Sequence, residues 1–171
     1  GLYNMGEASS RSMLSHFLYD IGKSCNTIYF YFFDSYGFAF PTSAEKCMKA
    51  YGYKNVKLHW GYNEGLIIDC LDAGCPVFFS ATSTLLAIGG HAWVIDGYMK
   101  RDCVSNMGRI KESQTLVHCN WGWSGNCNGY FTSGVFKISE PVIADGIGSS
   151  DSKDNYWHLY NFITYDKPDK Q

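Results

Sequence analysis

The spacing of apolar residues changes near Pro76, and this change constrains the fold more than any other feature of the sequence. Before it, apolar residues recur at intervals of three and four, which predicts helices over residues 9–21, from about residue 41, and over residues 63–73. After it come short β-prone runs separated by glycines and polar turns. Helices first and strands afterwards predict an α+β fold with a twisted antiparallel sheet.

Each predicted helix is bounded by residues typical of helix ends. Gly22, Gly52 and Gly74 follow the three apolar stripes and are predicted as the stops. Thr42 and Glu45 have the spacing of a capping box, in which the hydroxyl and the carboxylate each satisfy a free backbone N–H. We therefore expect the second helix to begin near Pro41 and Thr42.

Length and composition indicate one domain over residues 1–171 and exclude several functions. With 171 residues, 46% of them hydrophobic, the chain can bury a substantial core. The formal net charge is −2 and no basic run exceeds a pair, which argues against a nucleic-acid partner. No apolar run approaches the ~20 residues that span a bilayer. Residues 145–155 are rich in Gly, Ser and Asp and are predicted to form a mobile loop.

The cysteines and histidines do not have the spacing of a metal site. The seven cysteines are odd in number, and most lie in apolar patterns, where cysteine acts as a small buried hydrophobe. Cys70 and Cys75 lack the short ligand spacing of zinc sites, and His118 and Cys119 point to opposite faces of a strand. We expect neither a metal nor a cofactor.

One segment has the residues that a general base needs. Gly89 and Gly90 precede His91, which opens a β-prone strand, and two glycines allow the backbone of a bound peptide to approach. A histidine with an ordinary pKa of about 6.5 suits proton transfer near neutrality. The sequence therefore predicts His91 as a general base, against the alternative of a structural strand-end histidine.

A second segment, about 30 residues later, has the residues that orient a base. Asn120 stands directly before Trp121, and Trp123 follows. The amide can accept from one ring N–H and fix the tautomer, while the indole excludes water from that hydrogen bond. The alternative is a tryptophan-rich turn packed only for stability.

Together these segments resemble the streptopain family of bacterial cysteine peptidases, which have a papain-like fold. Residues 90–98 read GHAWVIDGY, residues 120–125 read NWGWSG and residues 129–131 read GYF, and weaker similarity extends over about residues 13–136. The resemblance implies that His91 is the catalytic histidine and that Asn120 and Trp121 orient and shield it. It also implies that Gly90 contacts the substrate backbone. Trp123 is a candidate substrate contact, with a purely structural role as its alternative.

The chain departs from the family pattern in two places. The family's nucleophile is a cysteine at the head of a long central helix, in a motif of the type Gly-Cys-Val-Ala-Thr, and no such motif occurs here. Phe38 stands where the family's substrate loop has a small polar residue. We therefore expect a histidine-bearing C-terminal half that lacks the nucleophile-bearing central helix and is inactive alone, with its nucleophile supplied by a missing N-terminal segment or fragment.

The resemblance implies a cysteine endopeptidase that acts on polypeptide substrates and is secreted or held at the cell envelope. The alternative is a catalytically inactive pseudopeptidase that acts as a binding or inhibitory module. A third hypothesis, a glycan- or surface-binding domain, depends only on the high aromatic content of 17%.

Overall fold

In a computed structural model, the described residues (8–30, 36–86, 89–104, 110–146 and 155–167) form three helices and eleven strands. Every strand pair among these residues is antiparallel. This confirms the predicted α+β class with its antiparallel sheet. The chain divides into two compact units, Gly1–Gly52 and Tyr53–Gln171. The expectations of a single domain and of a missing central helix stay predictions.

The described residues of the first unit form two helices and one antiparallel pair of short strands. The bounds are α1 Ala8–Ser24, β1 Ile28–Phe30, β2 Tyr36–Phe38 and α2 Pro41–Ala50. The prediction that Gly22 ends the first helix is wrong, because α1 runs on to Ser24. Asn26 adopts a left-handed conformation with φ 52°, and the Thr27 N–H donates to the Gly22 carbonyl at 2.9 Å. Asparagine tolerates this conformation and supplies the helix end in place of glycine.

The second helix begins close to its predicted start, but not with the predicted capping box. It starts at Pro41, with Phe40 as the N-cap residue and no capping bond from its side chain. Proline suits the first helical position, because its fixed φ is helical and it lacks an N–H that would need a partner. Thr42 therefore lies inside the helix, and Glu45 accepts a hydrogen bond from Lys49 Nζ at 2.8 Å.

The second unit is built on a seven-stranded sheet in the order β3-β11-β4-β5-β6-β7-β9. Its strands are β3 Lys54–Trp60, β4 Val77–Thr82, β5 Gly90–Val104, β6 Ile110–Asn120, β7 Gly129–Thr132, β9 Ile143–Ala144 and β11 His158–Asp166. A separate pair joins β8 Phe136–Lys137 to β10 Asn155–Tyr156.

Helix α3, Glu64–Asp72, belongs to this unit and lies close to its predicted position. Asn63 caps it by accepting the Leu66 N–H at 3.1 Å. Ile67 and Cys70 are buried as expected, but Leu66, predicted to face inward, is 37% exposed. The helix thus ends close to the predicted positions. Asn63 is its side-chain cap, and Gly74, with φ 71°, follows its last turn.

Strand β3 is absent from the sequence prediction, which expects no strand between the second and third helices. Its burial is low, with Val56 its only fully buried residue. It pairs with β11 at the edge of the sheet. This edge strand contains two lysines and one asparagine among its seven residues, and so it has little of the apolar alternation from which strands are predicted.

The core lies on one face of the sheet. Alternate residues of the central strands are buried there, namely Val77, Phe79 and Ala81 on β4, Trp93 and Ile95 on β5, and Val117 and Cys119 on β6. Because side chains alternate along a strand, His91 on β5 lies on this same face. The sheet therefore places the side chain of His91, the predicted base, next to a large aromatic core.

Three sequence predictions fall on residues outside the described ranges. These are residues 147–154 of the predicted mobile loop, residues 32–35 of the substrate loop, and the side chain of Phe38. Among the described helices, none combines the length and the apolar character that crossing a bilayer requires.

Candidate active site

His91 lies near the start of β5, where that strand pairs with β4. It stands opposite Ala81, and Gly90 stands opposite Thr82. Gly89 has φ 71°, which glycine adopts without strain, and the chain turns there into the strand. Gly90 is exposed. The local geometry thus places accessible backbone directly beside the imidazole, as the pair of glycines predicted.

The imidazole of His91 is held by a main-chain carbonyl. Its Nε2 atom lies 2.9 Å from the carbonyl oxygen of Trp121. Because a carbonyl oxygen can only accept, Nε2 carries the proton. In the neutral ring the lone pair is then on Nδ1, which is the atom left to take a proton.

Aromatic rings surround His91. Its ring centroid lies 4.5 Å from that of Trp123, 5.7 Å from Tyr156, 6.1 Å from Trp121 and 6.3 Å from Trp93. Burial among these rings lowers the pKa of His91, and the hydrogen bond to the Trp121 carbonyl only partly opposes this. The imidazole is therefore kept neutral, in the form of a base, at neutral pH.

Asn120 does not contact His91 in the way the sequence predicted. It pairs with Val94, so its side chain lies on the sheet face opposite to Trp93 and His91. There it lines a shallow cavity of about 170 Å³. Its Oδ1 accepts the Gly122 N–H at 3.1 Å. The structure thus brings the main chain of Trp121, and not the Asn120 amide, to the ring.

Trp121 and Trp123 both contribute to the surroundings of His91. Trp121 is 1% exposed, and its indole stacks on that of Trp123 with centroids 5.9 Å apart. Trp123 is half-buried and has the shortest ring distance to the imidazole. The position of Trp123 fits either a packing role or a substrate contact.

Two residues of the site, Asn128 and Tyr156, are not indicated by the sequence. Asn128 Oδ1 accepts the backbone N–H of Trp121 at 3.1 Å, and Tyr156 packs near the imidazole. An Asn-Gly pair before a strand is an ordinary turn signal, and it gives no indication of a contact with Trp121. A single tyrosine at the end of a loop likewise carries no spacing signal.

On the other face of the sheet, His118 is held between two carboxylates. Its Nδ1 pairs with Asp96 of β5, and its Nε2 lies 3.0 Å from Asp145, just after β9. Burial lowers the pKa of His118, but the hydrogen bonds to Asp96 and Asp145 outweigh it, so that the pKa is raised. A protonated ring donates to both carboxylates at once. This arrangement suits a structural clamp.

Three of the described cysteines have thiol pKa values that disfavour the thiolate. Burial raises the pKa of Cys25 to about 12, helped by Cys47, and also raises the pKa of Cys70 and Cys119. A nucleophilic thiol needs a lowered pKa. The six cysteines whose side chains are described are all free of disulfides. Within the described ranges, no three His, Cys, Asp or Glu side chains cluster to hold a metal.

Comparisons with known proteins found one matching family model and one similar fold. The model of the peptidase C10 family matches residues 3–131. The solved structure of active wild-type Prevotella intermedia interpain A cysteine protease is similar in fold, with a TM-score of 0.63 and 16% identity. The similarity covers 94% of this chain and 59% of that one, so the chain spans less than two thirds of its length. No curated protein matches the chain.

Proposed function

Because the chain belongs to the peptidase C10 family, the streptopain family of cysteine peptidases, we propose that it provides the general base for thiol-dependent hydrolysis of peptide bonds. His91 is that base. The observation that carries the proposal is the 2.9 Å contact between His91 Nε2 and the Trp121 carbonyl. It leaves the Nδ1 lone pair free to accept a proton.

In the proposed reaction, His91 Nδ1 takes the proton of a cysteine thiol. The thiolate attacks the peptide carbonyl carbon, and the carbon–sulfur bond forms. The carbon–nitrogen bond then breaks, and the imidazolium returns its proton to the leaving amine. Water then attacks the thioester carbon while His91 removes one proton from the water. The carbon–sulfur bond breaks, and the imidazolium returns this proton to the thiolate, which regenerates the thiol and neutral His91. Throughout, the Trp121 carbonyl accepts from Nε2–H and holds the ring.

We place the nucleophile outside this sequence, on a missing N-terminal segment or a separate fragment. The raised pKa values of Cys25, Cys70 and Cys119 support this, because they disfavour the thiolate. Helix α1 supports it too. Met13, Phe17 and Leu18 are 60%, 48% and 56% exposed, as expected of a helix whose apolar face is incompletely covered.

The proposed substrate is a polypeptide. The exposed backbone of Gly90 beside His91 suits an extended peptide, since no side chain on that residue obstructs its approach. Trp123 is proposed as a second substrate contact, because its half-buried ring lies against the imidazole. Family membership also supports the proposed location, secreted or at the cell envelope.

The second candidate function is that of a pseudopeptidase, a binding or inhibitory module. The observation that favours it is again the set of thiols with raised pKa values. The two proposals differ in whether hydrolysis returns when the nucleophile is supplied.

The test is complementation. The chain is mixed with a separately produced fragment bearing the family's nucleophile cysteine, and hydrolysis of unfolded, labelled casein is followed in the presence of a reducing agent. We expect activity, and we expect His91→Ala to lower it roughly 10²–10⁴-fold, the usual share of general acid–base catalysis. His16→Ala is the control, because His16 is exposed on α1. Hydrolysis that survives His91→Ala would contradict the proposal, and no hydrolysis from the mixture would favour the pseudopeptidase.

A further inference from the structure

The carbonyl that holds His91 belongs to a peptide that no strand pairing fixes. Strand β6 ends at Asn120, and its pairing with β5 ends at the same residue. Trp121 is the first residue beyond the sheet. Its own N–H donates to the side chain of Asn128, with Trp121 N 3.1 Å from Asn128 Oδ1. A side-chain amide thus takes the place of a strand partner at this point.

Asn128 is itself fixed from the opposite side. Its carbonyl oxygen accepts the N–H groups of Asp145 at 3.3 Å and of Gly146 at 3.0 Å. A Cβ atom on Gly146 would lie 2.4 Å from the Gly125 carbonyl oxygen and 2.5 Å from Asn128 N. The backbones therefore touch here, and only glycine fits. Asp145 is in turn held by His118 at 3.0 Å.

The connection from this turn to the imidazole has three steps. The segment after β9 holds the backbone of Asn128, the Asn128 side chain holds the Trp121 N–H, and the Trp121 carbonyl holds His91 Nε2. The Trp121 N–H and carbonyl belong to two peptide planes that meet at the Trp121 Cα atom. Asn120 Oδ1 accepts the Gly122 N–H, in the plane of the carbonyl, at 3.1 Å, and Asn128 holds the other plane, so that loss of the Asn128 bond lets the Cα atom and the attached carbonyl shift. A ring without its acceptor can exchange its proton between Nδ1 and Nε2.

The geometry points to Asn128 as a positioning residue for the His91 base: its side chain orients Trp121 so that His91 keeps its proton on Nε2. The catalytic consequence rests on the proposed function, whereas the orientation of the ring does not. Asn128 acts through Trp121, and an acceptor oxygen is the part of its side chain that matters. The substitution Asn128→Asp retains that oxygen, and Asn128→Ala removes it.

The experiment measures the tautomer of neutral His91 by ¹⁵N–¹H nuclear magnetic resonance in the full chain, at a pH above the His91 pKa. His91→Gln assigns the signal. We expect wild type and Asn128→Asp to show the Nε2–H form alone, and Asn128→Ala to show an added Nδ1–H population. Asn126→Ala is the matched control, an exposed asparagine in the same turn, and should resemble wild type.

Three results would overturn the inference: a single tautomer in folded Asn128→Ala, an equal change in Asn126→Ala, or a mixed tautomer in Asn128→Asp. If Asn128→Ala fails to fold, the Asp variant decides. The complementation assay distinguishes the positioning role of Asn128 from the role of His91 as the general base. If Asn128→Ala changes the tautomer but leaves the rate of casein hydrolysis unchanged, the positioning role stands and the role of His91 as the base fails.

Discussion

His91 Nε2 lies 2.9 Å from the carbonyl oxygen of Trp121, and this bond assigns the two ring nitrogens to different tasks. The protonated nitrogen is occupied by the main chain, and the other is left to accept a proton. The acceptor is a backbone atom of the residue that follows Asn120. The expected amide is near in sequence, but it lies on the other face of the sheet.

We predict that Asn120→Ala destabilises the fold through the loss of one hydrogen bond. The Asn120 amide accepts only the Gly122 N–H among the contacts that the structure describes for it. Its loss should cost about 0.5–1.5 kcal/mol of stability, the usual contribution of one hydrogen bond. Urea unfolding measures the cost. A stability equal to that of the wild type would contradict the contact between the Asn120 amide and the Gly122 N–H.

We predict that Trp123→Ala raises the pKa of His91 towards its ordinary value. Burial is the main cause of the lowered pKa, and the Trp123 ring lies nearest to the imidazole, at 4.5 Å. Removing that ring admits water, which favours the imidazolium. A titration followed by nuclear magnetic resonance measures the pKa. Trp60→Ala, which removes a 69% exposed indole on β3, is the control. An unchanged pKa in Trp123→Ala would refute this explanation.

We predict that His118 stabilises the fold mainly at low pH. Its pKa is raised in the folded chain, so its contribution is complete below the unfolded value of about 6.5 and is lost as pH rises through the folded value. Asp96 and Asp145 face the ring as charged groups, and Tyr130 packs on it at 5.0 Å. His118→Gln should therefore cost about 1–2 kcal/mol at pH 5.5, and less at pH 9.

Urea unfolding of wild type and His118→Gln at both pH values measures this difference. Comparing the two proteins at each pH removes the opposing effect of His91, whose lowered pKa destabilises the fold as pH falls. A cost that is equal at the two pH values, or larger at pH 9, would be inconsistent with a charged clamp.

We predict opposite effects for two glycine substitutions. Gly146→Ala should destabilise the fold by roughly 1–3 kcal/mol, because its Cβ would meet backbone atoms at 2.4 and 2.5 Å. Gly65→Ala in helix α3 should stabilise it by up to about 1 kcal/mol, since alanine favours helices and its Cβ would meet only Asn63 Oδ1, at 3.5 Å. Thermal unfolding compares the two. A neutral Gly146→Ala would contradict the close contact with Asn128.

The sequence predicts those features of the fold that depend on the type of residue at particular positions. Helix α3 is predicted with nearly its observed bounds because Asn63 caps it and its apolar residues recur at helical spacing. Strand β3 is not predicted because lysines lie on both sides of Val56. Its sequence therefore lacks the regular alternation of apolar and polar residues that indicates a strand. Gly22 is wrongly predicted as a helix end because Asn26, four residues later, takes the left-handed conformation instead.

In the candidate site, too, the sequence does not predict contacts that are independent of residue type. The sequence predicts that His91 and Trp121 come together, and the structure agrees. It predicts the wrong acceptor atom, because every residue has a backbone carbonyl and residue type does not indicate which one is used. Asn128 escapes prediction for a related reason. Its contact with Trp121 depends on the path of a turn in which Ser124 and Cys127 adopt left-handed conformations, and residue type alone does not specify that path.

The tautomer of neutral His91 in the wild-type chain tests the central claim most directly, because it requires neither a substrate nor a nucleophile. A ¹⁵N–¹H spectrum recorded above the His91 pKa distinguishes the two forms. We predict the proton on Nε2, bound to the Trp121 carbonyl, with the lone pair on Nδ1. A proton found on Nδ1 would contradict the claim, because that nitrogen could then accept no proton from a thiol.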